Sequence, residues 1–144
     1  MRRQTLGFLV AAVVSISGCG DPKLPPVNSR LLDPQGGFTL LVSNQSFAIT
    51  PVDIRIEIDG ETVVHEYFEV GNQHNWKAYR LSLNPGQHTL RLSSAKGRAT
   101  LLTTFTVTGK HWAVVNYWYY PKSHDNPTPK HFSFDVYDRA PSFG

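Results

Sequence analysis

Val52, Ile54, Ile56 and Ile58 alternate strictly with Asp53, Arg55, Glu57 and Asp59, and the run ends on Asp59-Gly60. A period of two puts successive side chains on opposite faces of an extended chain, so this stretch has one buried and one wet face and cannot be a helix. Asp-Gly tolerates the positive φ angles of a two-residue hairpin, which predicts an immediate return strand over Glu61 to Val70. The same grammar continues along the chain. Phe38 to Ser43, Lys77 to Leu83, His88 to Ser93, Ala99 to Thr108, His111 to Tyr120 and a last run marked by Phe132, Phe134 and Val136 are separated by turns at Asn84-Pro85-Gly86, Ala95 to Arg98 and Gly109. Short strands at this spacing, without a helical period, predict an antiparallel β-sandwich over residues 37–144.

Leu83-Asn84-Pro85-Gly86-Gln87-His88-Thr89-Leu90-Arg91-Leu92, with the Asp59-Gly60 hairpin, resembles the turn-and-strand of immunoglobulin-like and PEGA-type surface domains. That resemblance implies an immunoglobulin-like β-sandwich of about 7–8 strands, in modules that are usually non-catalytic parts of envelope proteins. It spans about ten residues and leaves function open. The Cys and Trp core of antibody domains is missing.

Cys19 is the only cysteine. Before it stand Arg2 and Arg3, an apolar run from Leu6 to Ile16, and then Ser17 and Gly18, the charged, greasy and small-residue order of a secretory signal. The run falls well short of the roughly 20 residues that span a bilayer, which favours a cleaved segment over a permanent helix. Ile16-Ser17-Gly18-Cys19 resembles the bacterial lipobox. The resemblance implies cleavage before Cys19, a thioether-linked diacylglycerol on its sulfur and, in many bacteria, a third acyl chain such as palmitate on its new amino group. Two or more chains anchor a protein stably where one does not. The expected organisation is a lipoprotein signal peptide over 1–18, a lipidated cysteine with a Pro-rich linker over 19–36, and the sandwich over 37–144. The expected location is the cell envelope. Because Gly20, not aspartate, follows the cysteine, the outer membrane is favoured if the host is diderm.

Pro22, Pro25, Pro26 and Pro34 mark residues 20–36 as an extended tether, which in polyproline form would reach roughly 50 Å. With Cys19 lipidated the domain holds no disulfide and must be stabilised by its core. Signal removal takes away two of the 14 basic residues, leaving 12 against 11 acidic ones. A nearly neutral chain with no basic block offers nothing to nucleic acid.

No motif for a nucleophile elbow, a phosphate loop or a calcium loop is present, and no cofactor is expected. His65-Glu66-Tyr67-Phe68-Glu69 only begins like a zinc-protease motif and falls in a strand, so the ligand spacing of a helix is lost. Asp53, Glu57, Glu61 and Glu66 read as polar strand faces. The 6 histidines, His65, His74, His88, His111, His124 and His131, leave open a metal-binding envelope protein as an alternative, without support from their spacing.

The binding candidates are aromatic. One face of the His111 to Tyr120 run carries Trp112, Val114, Asn116, Trp118 and Tyr120, and the other carries Ala113, Val115, Tyr117 and Tyr119. A sandwich strand buries one face in its own core, so the surplus is covered by a loop or the C-terminal segment, or displayed. Trp76, in the amide-rich loop from Gly71, either plugs one end of the sandwich or forms a ligand tip. Trp76, Trp112, Tyr117, Trp118 and Tyr119 are therefore the candidate ligand-binding residues of a non-catalytic binding or scaffolding module. Its expected partners are the membrane through Cys19 and an envelope protein or, as an alternative, a glycan.

Overall fold

The computed structural model describes Gly18 and residues 20–143, so the signal segment and Cys19 lie outside the described residues. The described chain is all β: β1 (Phe38–Asn44), β2 (Val52–Ile58), β3 (Glu61–Phe68), β4 (Lys77–Leu81), β5 (Gly86–Ser94), β6 (Ala99–Val107), β7 (His111–Tyr120) and β8 (Thr128–Tyr137). They form two four-stranded sheets, ordered β4-β1-β7-β8 and β3-β2-β5-β6. Every neighbouring pair is antiparallel except β1 with β7, which run parallel. The predicted β-sandwich is therefore present. Its likeness to immunoglobulin domains lies in the two-layer architecture and not in strand order, because β1 pairs with β4 and β7 instead of with β2.

The alternation in β2 is realised as written. Val52, Ile54, Ile56 and Ile58 are fully buried while Arg55 is exposed. Asp59 and Gly60 both take positive φ, 50° and 79°, as a two-residue hairpin requires. A bulge between Ile56 and Glu57 lets both Val63 and Val64 of β3 turn inward. The opposite wall of the core comes from Phe38, Leu40 and Val42 of β1, Leu81 of β4, and Ala113, Val115 and Tyr117 of β7.

Asp53 departs from the expected wet face. It is buried, and its carboxylate accepts hydrogen bonds from Ser94 Oγ (2.8 Å), Ala95 N (2.9 Å) and Lys96 N (2.8 Å), satisfying the tight β5–β6 turn. Gly97 in that turn has no room for a side chain, since a Cβ there would lie 2.7 Å from the Tyr117 ring.

Residues 20–36 do not stand off as a spacer. Asp21 pairs with Lys96 (2.9 Å), Tyr67 Oη donates to Pro22 O (2.9 Å), and Ser29 Oγ donates to Glu61 (2.7 Å), so the segment runs the length of β3. It then crosses to β4, where Ser82 N donates to Leu31 O (2.9 Å) and Leu31 and Leu32 pack on the core. Its prolines cannot extend a ladder, but an extended chain with apolar residues covers the open side between two edge strands at low cost. The composition disclosed the extended form and not the docking.

The far end of the sandwich is tied by His88. Its Nδ1 lies 2.7 Å from Asp59 Oδ2 and its Nε2 2.7 Å from Asn84 O, joining the β2–β3 hairpin to the β4–β5 turn. Burial disfavours the imidazolium, but two facing acceptors outweigh it and raise the His88 pKa. Burial likewise pushes Asp59 up, and bonds from His88 and Thr89 N–H outweigh it and lower its pKa. A raised histidine stabilises below its ordinary value of 6.5, and a lowered aspartate above 3.8, so the pair contributes most between those limits. His88→Gln should therefore cost most stability at about pH 5, with the gap to wild type narrowing as pH rises past the raised histidine value. Urea unfolding across pH checks this, and a gap that does not change with pH would count against the pair.

Candidate functional site

β7 divides its aromatic residues between the two faces of its sheet. Ala113, Val115 and Tyr117 point into the core, whereas Trp112, Val114, Asn116, Trp118 and Tyr120 form the outer face. Tyr117, expected among the ligand-binding residues, is 0% exposed and belongs to the core instead. Its hydroxyl donates to Gly97 O at 2.8 Å, and burial pushes its pKa up to about 12, which keeps it a donor. Tyr119 lies on the same inner side near the end of the strand, half-buried against the core with Lys130 Nζ 5.0 Å from its ring centre. These two tyrosines cannot share a surface with Trp112 and Trp118.

Trp76 does join the outer face. Its Nε1 donates to Asn116 Oδ1 at 3.0 Å, and the same oxygen accepts from Ser43 Oγ of β1 at 2.7 Å. Ser43 Oγ in turn accepts from Gln45 Nε2 (2.7 Å), which also reaches Gln73 O (3.0 Å). Gln73 Nε2 then donates to Gln45 O and to Tyr120 Oη, both at 2.6 Å. Three amides and a hydroxyl thus lock Trp76 and Tyr120 to opposite ends of one polar chain, and a satisfied network of this kind fixes ring orientation. Gln73 takes φ 66° to make these bonds, so the Gly71 loop is shaped around them. Because Tyr120 Oη accepts from Gln73, its own proton is free to donate outward.

Along the face, Trp118 Nε1 donates to Ser133 Oγ of β8 at 3.0 Å. Trp112 lies under Lys110 Nζ, 5.2 Å from the ring centre, and opposite the exposed Tyr137 in the β7–β8 register. Trp76, Trp112 and Trp118 are all half-buried, so each presents part of an indole to water. The chain beyond β8 returns over this face: the Phe143 ring stacks on Trp76 with centres 3.9 Å apart and planes 9° from parallel. The segment after Tyr120 covers less, stacking His124 on Tyr120 at 4.8 Å. The surplus aromatic surface is thus partly self-covered and partly displayed.

Phe143, Asn116, Gln73 and Tyr137 do not stand out in the sequence as site residues. The only signal for Asn116 is a polar residue in the middle of an otherwise apolar strand. Among the described residues, no group of three or more His, Cys, Asp or Glu is placed to hold a metal ion. No family model, curated protein or solved structure matches the chain.

The arrangement offers flat, half-exposed rings with fixed polar tips. Such a surface can stack on planar or apolar faces. The Trp76–Phe143 stack is a bound example within the molecule. A double-mutant cycle with Trp76→Ala and Phe143→Ala should give a coupling of about 0.5–1.5 kcal/mol, the usual value of an aromatic pair beyond its area. Additive effects on chemical unfolding would show that the tail does not rest on the indole.

Proposed function

We propose that this chain is an exported lipoprotein of the cell envelope, anchored through lipid on Cys19, whose β-sandwich is a non-catalytic binding module. The anchor rests on the signal order and on Ile16-Ser17-Gly18-Cys19. The binding role rests on one observation, the outer aromatic face of β7 with Trp76, Trp112 and Trp118 half-exposed, Trp76 and Trp118 being held by hydrogen bonds and Trp112 lying under Lys110. The part of each indole left in water adds nothing to the fold, whereas an interface uses such rings as anchors. Its preferred partner is another envelope protein, since the face is open and shallow and its rim carries Lys110, His131 and Asp135.

A glycan is the second reading, favoured by half-exposed indole rings that can stack on a sugar face beside the Tyr120 hydroxyl. Soluble envelope polysaccharide that competes for the face separates it from the first.

Cys19→Ser should release the protein from the membrane fraction while leaving the sandwich folded, because the described core is built from residues between Leu31 and Phe134. In cells, a photo-crosslinking residue at Trp112 should trap a defined adduct, and one at Leu102 on the outer face of the other sheet should not. Membrane retention of the serine variant contradicts the anchor; equal trapping at both positions contradicts the aromatic face.

A further inference from the structure

The docked N-terminal segment determines which end of the sandwich meets the membrane. Asp21 is held by Lys96 Nζ in the β5–β6 turn (2.9 and 3.0 Å), and Pro22 O by Tyr67 near the end of β3. Gly20 therefore lies at the end where β1, β3, β5 and β7 finish and β2, β6 and β8 begin. Cys19 is one peptide further, with its Cα about 3.8 Å from that of Gly20. Acyl chains on Cys19 would bring this end against the headgroups, with no free spacer between.

That end carries an exposed phenylalanine on a fixed loop. Phe47 is 57% exposed. The loop from Gln45 to Pro51 satisfies its own backbone: Ser46 Oγ donates to Tyr119 O (2.8 Å) and accepts from Ala48 N and Ile49 N (3.2 Å each), while Asn44 Nδ2 donates to Ile49 O (2.8 Å) and Phe68 O (3.1 Å). The loop backbone is thus pre-organised by internal hydrogen bonds, and it holds the Phe47 ring outward beside the exposed Ala48. Beside Phe47, an apolar hollow is lined by Ala48, Tyr120, Pro121 and His124. Beyond the Asp21–Lys96 pair, the charges on this end, Arg98, Lys122 and Lys130 against Glu69 and Asp125, leave a small positive excess, so the contact rests on apolar insertion with attraction to anionic lipid as a lesser part.

We propose that this end of the sandwich rests on the bilayer, with Phe47 and the Tyr120-Pro121 corner seated at the boundary between headgroups and acyl chains. This orientation rests on the lipidation of Cys19 proposed above. The strands then stand up from the surface, the Asp59–His88 end points away, and the outer face of β7 is presented sideways.

The test uses the lipidated protein in phosphatidylcholine–phosphatidylglycerol vesicles. With Cys19 acylated, a cysteine introduced as Phe47→Cys, Ala48→Cys or Thr108→Cys is the only free thiol, and each is labelled with an environment-sensitive fluorophore. Ala48→Cys keeps Phe47 in place, and Thr108 sits at the far end after β6. The expected result is blue-shifted emission at 47 and 48, with quenching by nitroxide-bearing lipid several-fold above that at 108. Equal quenching at all positions, or a blue shift at 47 that lipid nitroxide does not quench because protein covers it, overturns the orientation while leaving the anchor intact. Protein that does not float with the vesicles overturns the anchor and the orientation together.

Discussion

A strand in a two-layer sandwich has one face for the core, and β7 arrives with large side chains on both. Its position makes this unavoidable, because β7 lies inside its sheet between β1 and β8 and neither ladder edge is free. The inner face takes Ala113, Val115 and Tyr117 and completes the apolar wall against β2 and β5. The outer face is left with two indoles and Tyr120, and the described residues place no further layer over them. Hydrogen bonds supply a compromise. Asn116 in mid-strand draws in Trp76 and Ser43, the Gln45–Gln73 pair reaches Tyr120, and the tail contributes Phe143. These contacts orient Trp76 and Tyr120 without removing them from water, the condition in which aromatic side chains serve as interface anchors.

Carboxylates do the work that disulfides do in many exported domains. Asp53 satisfies the β5–β6 turn, Asp59 joins His88 and Thr89 N across the far end, and Glu61 receives Ser29 Oγ, Arg30 N and the Arg30 guanidinium. Each connects segments remote in sequence, and the Glu61 and Asp21 contacts lay the N-terminal segment along β3. The segment shields the side between two edge strands, where unpaired backbone would otherwise invite another chain. Under the proposed lipidation of Cys19, docking would shorten the reach from the anchor to the body, so anchoring and orientation become one question.

The strands are legible in the sequence because periodicity and turn chemistry are local. Ile54, Ile56 and Ile58 need only their neighbours to declare a buried face, and Asp59-Gly60 declares its own hairpin. Pairing is not legible: nothing in the Phe38–Asn44 run says that it lies parallel to β7. Tyr117 and Trp118 look alike as candidates in sequence, and only register sends one to Gly97 O and the other to Ser133. Asp53 reads as solvated because alternation places it on the polar face, and the turn that needs its oxygens lies 42 residues away at Ala95. Phe143 is invisible for the same reason, since a lone aromatic near the end of the chain carries no period.

Binding at the outer face requires that β7 send Tyr117 inward and hold Trp112 and Trp118 half-open on the outside. Hydroxyl-radical footprinting of the folded protein, read residue by residue by mass spectrometry, tests this directly. The structure predicts oxidation of Trp112 and Trp118 at a substantial fraction of the unfolded rate, with Tyr117 strongly protected. Tyr117 oxidised as fast as its two neighbours, or both indoles as protected as Tyr117, would contradict the division of faces on which the site rests.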